Sequence, residues 1–341
     1  MHDPESMPHR LAAFLTEHDG RRTAEVTNYE AMVGGYSRLM ARADIRWSDG
    51  NTEVLVLRGD PPPGKSMAQT DRDAEHMLLR ALGDSGVIPT PRVRAYDHQG
   101  DRLGTKCIVI EFVHGQPLQT LLGAADHAAH GSYADSLVDS MSAVHSIDPD
   151  VLGDVLARPA DWDTYIRGLI DRFRSSDQQH VESMPVLRYV AAWLESHLPP
   201  PLPLRLVHSD FQPANIMVDA SGTHQMVDWE FAHIGDPRED LGYYNVYAAA
   251  LGPNLFAHDP ERFLARYRER TGFSEEAVNM QTMAFFSSLA AISVYSQILG
   301  GAAAMARGQN SGLMTTYTLN ALTVGHSNFL AGCTSTEPET H

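Results

Sequence analysis

Lysine is nearly absent from this chain: of its 26 Lys and Arg residues only two are lysine, Lys65 and Lys106. Any task that needs a buried ammonium must fall to one of these two or to an arginine. Cysteine is equally scarce. Cys107 and Cys333 are far apart in the sequence and suit neither a disulfide framework nor a cysteine-based zinc site, so a reducing, cytoplasmic setting is expected. An unbroken apolar run is missing too. The most apolar stretch, 283–305, is interrupted by Ser287, Ser288, Ser293, Ser296 and Gln297, which points to a buried helix and away from a membrane span. The first residues, MHDPESMPHR, lack the apolar centre of a signal peptide, and no export is expected. Basic charge is in deficit as well. The formal net charge of −17 speaks against nucleic-acid partners and would favour a cationic small molecule. Between 116 and 200 there are twelve Asp or Glu against five Arg, and that acidity can equally be a solvated surface.

The 341 residues exceed most single domains, and two lobes are expected. A short helix over 7–18 precedes a β-meander over 29–58, whose strands flank the turn signal SDGN and whose first corner carries VGGYS at 33–37. A helix over 69–82, an extended PTPRVRAYD and the apolar strand CIVIEF at 107–112 complete a small β-rich lobe, ending near Gly115. From 116 the periodicity turns helical, with segments expected at 131–146, 162–175, 183–198, 260–270 and 275–305. One β-rich island, 204–242, interrupts them. In it ANIMVD and HQMVDW read as two strands of a hairpin joined by ASGT.

Residues 59–66, GDPPPGKS, match the phosphate-binding pattern G-x-x-x-x-G-K-[ST] in a strand–loop–helix context. That loop works by presenting consecutive backbone N–H groups to phosphate. Pro61, Pro62 and Pro63 have none, so the string is read as a connector. A P-loop NTPase would need Lys65 for nucleotide binding and could dispense with Asp228; a site built around the later motifs reverses that requirement.

Those motifs are HSDFQPANIMVD at 208–219 and MVDWE at 226–230. Asp210, Asn215 five positions later and Asp228 at the far end of a hairpin supply what phosphoryl transfer from ATP requires. One carboxylate receives the nucleophile's proton, while an amide and a second carboxylate hold Mg²⁺. H-x-D-x-x-x-x-N followed by an apolar-flanked Asp resembles the aminoglycoside phosphotransferase family, relatives of choline kinase and of protein kinases. The chain is similar in particular to bacterial phosphotransferase-like proteins and to kinase-like domains associated with acyl-CoA dehydrogenases, which combine LR and a proline-glycine loop with HxDxxxxN and VDWE.

The resemblance implies an α+β, two-lobed protein-kinase-like fold: a nucleotide-binding lobe over 1–115 and a larger, mainly helical lobe over 116–341. It implies Asp210 as catalytic base, Asn215 and Asp228 as Mg²⁺ ligands, and His208 as a support of the loop. Gly34, Gly35 and Ser37 match the turn that covers the phosphates. Arg58 stands where kinases place a lysine, with Glu75 on the next helix as its partner. Backbone from Glu111 to Val113 would bind adenine. Trp229 and Glu230, in place of a mobile Phe-Gly, imply a permanently formed site, and Asp236 and Asp240 would tie the following helix to the catalytic loop by capping bonds. Glu230, Asp161 and Asp163 are candidates for gripping an amine-bearing acceptor, although each also reads as an ordinary surface carboxylate. The reading is thus an ATP- or GTP-dependent small-molecule kinase acting on a hydroxyl. A catalytically silent nucleotide-binding module of the same fold stands as the alternative.

Overall fold

The computed structural model describes residues 7–32, 39–60, 71–178, 185–251 and 253–306. Two compact units divide the chain: Met1–Gly115 with Met217–Glu230, and Gln116–Ile216 with Phe231–His341. The second unit is therefore not one continuous stretch, a feature that a cut at 115/116 does not express.

In the first unit, α1 (Met7–Asp19) is followed by β1 (Ala24–Ala31), β2 (Leu39–Trp47) and β3 (Thr52–Gly59), then α2 (Arg72–Ser85), β4 (Val93–Asp97) and β5 (Cys107–Glu111). The strands form one antiparallel sheet in the order β1-β2-β3-β5-β4. Strand alternation sorts its two faces. Ala41, Ala43, Ile45 and Trp47 of β2 and Leu55 and Leu57 of β3 join Leu11 and Leu15 of α1 in one apolar cluster. Arg58, the neighbour of Leu57, is thereby directed to the opposite face. The meander begins at Ala24, earlier than expected, and its second turn falls on Ser48–Asn51 as expected. Helix α2 starts three residues later than expected because the Asp71 side chain caps it, accepting from Asp73 N and Ala74 N, and it stops at Gly86 in the left-handed conformation (φ 61°). Most of the GDPPPGKS string lies outside the described residues.

The rest of the chain adds β6 (Gln116–Pro117), α3 (Leu118–Ala124), α4 (His130–His145), α5 (Trp162–Gln178), α6 (Pro185–Ser196) and β7 (Arg205–Val207). The hairpin strands β8 (Ile216–Val218) and β9 (His224–Met226) follow, then β10 (His233–Gly235), α7 (Arg238–Leu251), α8 (Leu255–His258), α9 (Pro260–Thr271) and α10 (Met280–Ala306). The hairpin strands are shorter than expected. Pro213–Asn215 forms a 3₁₀ turn ahead of β8, while Asp219 closes the connection by accepting from Ser221 N and Thr223 N. Helix α10 starts at Met280, not 275, since Asn279 caps it through Thr282 N. Among the described residues no helix is long and apolar enough to cross a membrane.

The 217–230 segment groups with the first unit for a visible reason. Gly115 has φ 136°, and a Cβ there would lie 2.4 Å from the Val218 carbonyl oxygen, so only glycine lets the two backbones pass. In the second unit Ile166, Ile170, Leu187, Val190 and Leu194 pack with Phe285, Phe286 and Leu289. Helix α7 lies close against α10, because a Cβ on Gly242 would fall 2.3 Å from the backbone of Phe286. Gly242→Ala is accordingly expected to lower unfolding free energy by about 1–3 kcal/mol, measured as a drop in denaturation midpoint at unchanged m-value.

Candidate active site

The catalytic loop leaves β7 at Val207 and is held first through its backbone. His208 N and Ser209 N donate to the two carboxylate oxygens of Asp240 on α7, at 2.9 and 2.8 Å. Asp240 is fully buried. Burial alone would raise its pKa, but the hydrogen bond from His145 Nε2 (3.0 Å) and the backbone N–H of His208 bring it below the usual value. His145 is set in turn by Tyr267 Oη, 2.7 Å from its Nδ1. The expected tie between Asp240 and the loop is thus present. Asp236 serves the same helix: it accepts from Arg238 N at 2.9 Å and from Trp162 Nε1 at 2.6 Å.

This anchoring sets Ser209 in the left-handed region (φ 64°) and turns Asp210 into a cage of donors. Asp210 is 8% exposed. Its Oδ1 accepts from Gln212 Nε2 at 2.8 Å and Tyr243 Oη at 2.6 Å, and its Oδ2 accepts from Asn215 Nδ2 at 2.6 Å. The same Asn215 nitrogen donates to the Asp210 carbonyl at 3.0 Å. The Asn215 amide is therefore oriented with its NH₂ toward Asp210, which makes Oδ1 the atom it presents elsewhere. His208 is fully buried, and its Nδ1 accepts from Asp210 N at 3.3 Å, a supporting position.

Arg58, Glu75, Glu111, Val113, Asp228 and Glu230 belong to the first unit. Arg58 Nη2 lies 2.7 Å from Asp228 Oδ1 and 3.0 Å from Glu75 Oε1. Arg58 and Glu75 are 4% and 3% exposed. Burial works against the guanidinium charge, and the two carboxylates outweigh it, raising the Arg58 pKa further. Glu75 is shared: Arg72, also buried, pairs with its second oxygen and with Asp60 Oδ1 at 2.9 Å. Asp228 has φ 69° and, with Ser209, is one of two non-glycine residues with positive φ among the described residues. Such strain concentrates at functional positions. Trp229 is buried, and its Nε1 donates to Met226 O at 3.2 Å, which braces the turn that carries Asp228. Glu230 is partly buried.

At the end of β5, Glu111 N donates to Arg92 O and Phe112 N to Val54 O, both at 2.9 Å. Both N–H groups belong to the sheet, and Val113 N–H is the next donor past the strand. Gly34, Gly35 and Ser37 lie outside the described residues. Asp161 and Asp163, expected as acceptor ligands, both make bonds to residues of α5. Asp161 caps α5 through Thr164 N at 2.8 Å, and Asp163 pairs with Arg167 one turn on at 2.8 Å.

Sequence reasoning missed Arg72, Gln212, Tyr243, His145 and Tyr267. For two of them a signal existed: Arg72 stands three residues before Glu75, and Tyr243 three after Asp240, spacings that put each pair on one helix face. A further cluster was also missed. His233 Nδ1 faces Phe231 O at 3.0 Å, and Nε2 faces Tyr165 Oη at 2.8 Å, a hydroxyl that donates to Glu239. Both ring nitrogens meet acceptors, so the imidazolium fits this setting. Burial opposes that charge, but the Glu239 hydrogen bond and charge and the Phe231 carbonyl raise the pKa above its ordinary value.

An antiparallel sheet with one helix carrying the Arg58 partner, followed by a mainly helical region with an HxDxxxxN loop, defines a protein-kinase-like α+β fold. The profile of the phosphotransferase enzyme family matches residues 42–285, and the chain belongs to that family. Among curated proteins it is 26% identical over 301 residues to a probable acyl-CoA dehydrogenase, IBR3, of Arabidopsis thaliana, covering 78% of this chain and 36% of that protein. It is 25% identical over 195 residues to acyl-CoA dehydrogenase family member 10 of Mus musculus, covering 55% and 18%. The chain thus spans only about a third or less of the length of these relatives. Among solved structures it is similar to a Ralstonia eutropha protein assigned as an aminoglycoside phosphotransferase (TM-score 0.72, 18% identity, 96% of this chain and 98% of that one). Two others are the GDP and kanamycin complex of APH(2″)-IIIa (0.60, 15%, 96% and 99%) and a Plasmodium vivax ethanolamine kinase (0.59, 13%, 93% and 85%). At these identities the structures establish the fold.

Lysine at position 58 would keep the charge but replace the fork that reaches Glu75 and Asp228 with a point donor. Arg58→Lys is expected to cost about 1–3 kcal/mol of stability, read from chemical denaturation.

Proposed function

We propose that the protein is a kinase that transfers the γ-phosphoryl group of ATP or GTP to a hydroxyl of a small, polar or cationic acceptor. The observation that carries this reading is Asp210, a nearly buried carboxylate locked by three side-chain donors on a loop whose backbone is itself pinned by Asp240. A general base must be held where the acceptor's proton will leave, and in phosphoryl transfer positioning and charge neutralisation supply most of the acceleration.

The side chains present fit a magnesium ion. Asp228 offers a carboxylate, and Asn215 offers an amide oxygen whose nitrogen is already committed to Asp210; both are the hard oxygen donors this ion prefers. Magnesium takes one or two protein oxygens and completes its shell with phosphates and water. Bound there, the ion would neutralise charge on the phosphates. The residues of the chain have the remaining tasks: Arg58 carries the fixed positive charge on the sheet, Glu75 and Arg72 hold its guanidinium in place, Glu111 to Val113 present backbone to the adenine or guanine, and Asp210 receives the acceptor proton. Gly34, Gly35 and Ser37 are assigned to the phosphates on the resemblance alone.

A cationic or amine-bearing acceptor is supported by the net charge of −17, by a similar fold solved with kanamycin and by another that is an ethanolamine kinase. Glu230 remains the candidate contact. The cytoplasm is the proposed location, in keeping with Cys107, whose buried thiol is pushed up to about 12 and is inert.

The test is a mass-spectrometric screen for phosphorylated product with Mg²⁺, ATP or GTP and a panel of amine-bearing alcohols. Asp210→Asn is expected to slow transfer by about 10²–10⁴-fold with nucleotide affinity retained by calorimetry. Undiminished turnover in Asp210→Asn would remove the base assignment. Nucleotide binding with no product from any acceptor would favour the silent module.

A further inference from the structure

We infer that Tyr243 is a positioning residue for phosphoryl transfer: its hydroxyl fixes the Asp210 carboxylate, and the stacked pair of Tyr243 and Tyr247 fixes that hydroxyl. The inference rests on the reading of Asp210 as the base.

Three observations converge. Tyr243 Oη donates to Asp210 Oδ1 at 2.6 Å, as short as the Asn215 contact to Oδ2. The Tyr243 ring stacks on Tyr247, with centroids 4.4 Å apart and planes 22° from parallel, so it is held in one rotamer by an aromatic neighbour one helical turn on. Both tyrosines share a face of α7 with Asp240, at spacings of three and seven residues. One helix face thereby sets the catalytic loop twice, Asp240 through the backbone N–H groups of His208 and Ser209 and Tyr243 through the reacting side chain.

The arrangement also differentiates the two carboxylate oxygens. Oδ1 accepts from both Tyr243 and Gln212, which occupies its two lone-pair directions. A phenol suits the Oδ1 task because it donates without carrying charge. Burial and the Asp210 charge both hold the Tyr243 hydroxyl in its protonated form, far above its ordinary pKa, so it remains a donor throughout the working pH range.

The test compares the full-length wild type with Tyr243→Phe, using Mg·ATP or Mg·GTP with water as acceptor and reading phosphate release, together with crystal structures of both. Phenylalanine keeps the ring and the stack and removes only the donor. The expected result is an unchanged KM for nucleotide, a kcat lower by about ten-fold, and a second Asp210 rotamer in the variant crystal. A purely structural tyrosine would alter the melting temperature without that split between kcat and KM. An unchanged kcat, or a kcat that rises because the tyrosine was obstructing the base, overturns the inference. Where the wild type binds nucleotide without releasing phosphate, the rotamer decides: Asp210 in a single wild-type position in Tyr243→Phe refutes the role. If the wild type neither binds nucleotide nor releases phosphate, the kinase reading fails and takes the inference with it, whereas a wild type that turns over beside an unaffected Tyr243→Phe removes the inference alone.

Discussion

The buried carboxylate of Asp240 is the contact on which the catalytic loop depends. A charge without access to water must be matched by donors, and the donors here are the backbone N–H groups of His208 and Ser209 and the imidazole of His145. Satisfying Asp240 forces the chain through the left-handed turn at Ser209, and that turn places Asp210 among Tyr243, Gln212 and Asn215. The geometry at the Asp210 carboxylate is thus inherited from an ion on a later helix. Tyr267 extends the chain of contacts to α9 through His145, so helices remote in sequence share the same restraint.

The first unit solves a related problem with arginine. Two buried guanidiniums, Arg58 and Arg72, divide the oxygens of one glutamate, and each reaches a second carboxylate, Asp228 or Asp60. A buried pair left incomplete is costly, and the network works because every fork finds two anions. An ammonium offers no such planar fork, so lysine would not serve equally at positions 58 and 72.

Much of this was legible in the sequence because it rests on local order. HSDFQPANIMVD and MVDWE name the loop and the hairpin residue in a spacing few other functions require, and LR before a helix with Glu75 names the ion pair. Alternation of apolar residues gave β2 and β3, and the SDGN turn fell where it was expected. The illegible parts depend on phase and partnership across distance. Tyr243 matters only because α7 turns it toward a carboxylate 33 residues earlier. The onset of α2 moved to Arg72 because Asp71, not an earlier residue, caps it. The cap that Asp161 gives α5 and the ion pair of Asp163 with Arg167 likewise show only once the helix is formed.

The crossing of Gly115 beneath the Val218 carbonyl bears on how the molecule is born. The first compact unit is made of two pieces, Met1–Gly115 and Met217–Glu230, so its sheet emerges from the ribosome long before the hairpin that carries Asp228. At typical elongation rates the intervening stretch takes roughly 6–23 s to synthesise. Throughout that interval Arg58 has Glu75 but lacks Asp228, and the glycine waits without the backbone it was selected to admit. Until the hairpin arrives, Arg58 shares Glu75 with Arg72 and has no carboxylate of its own.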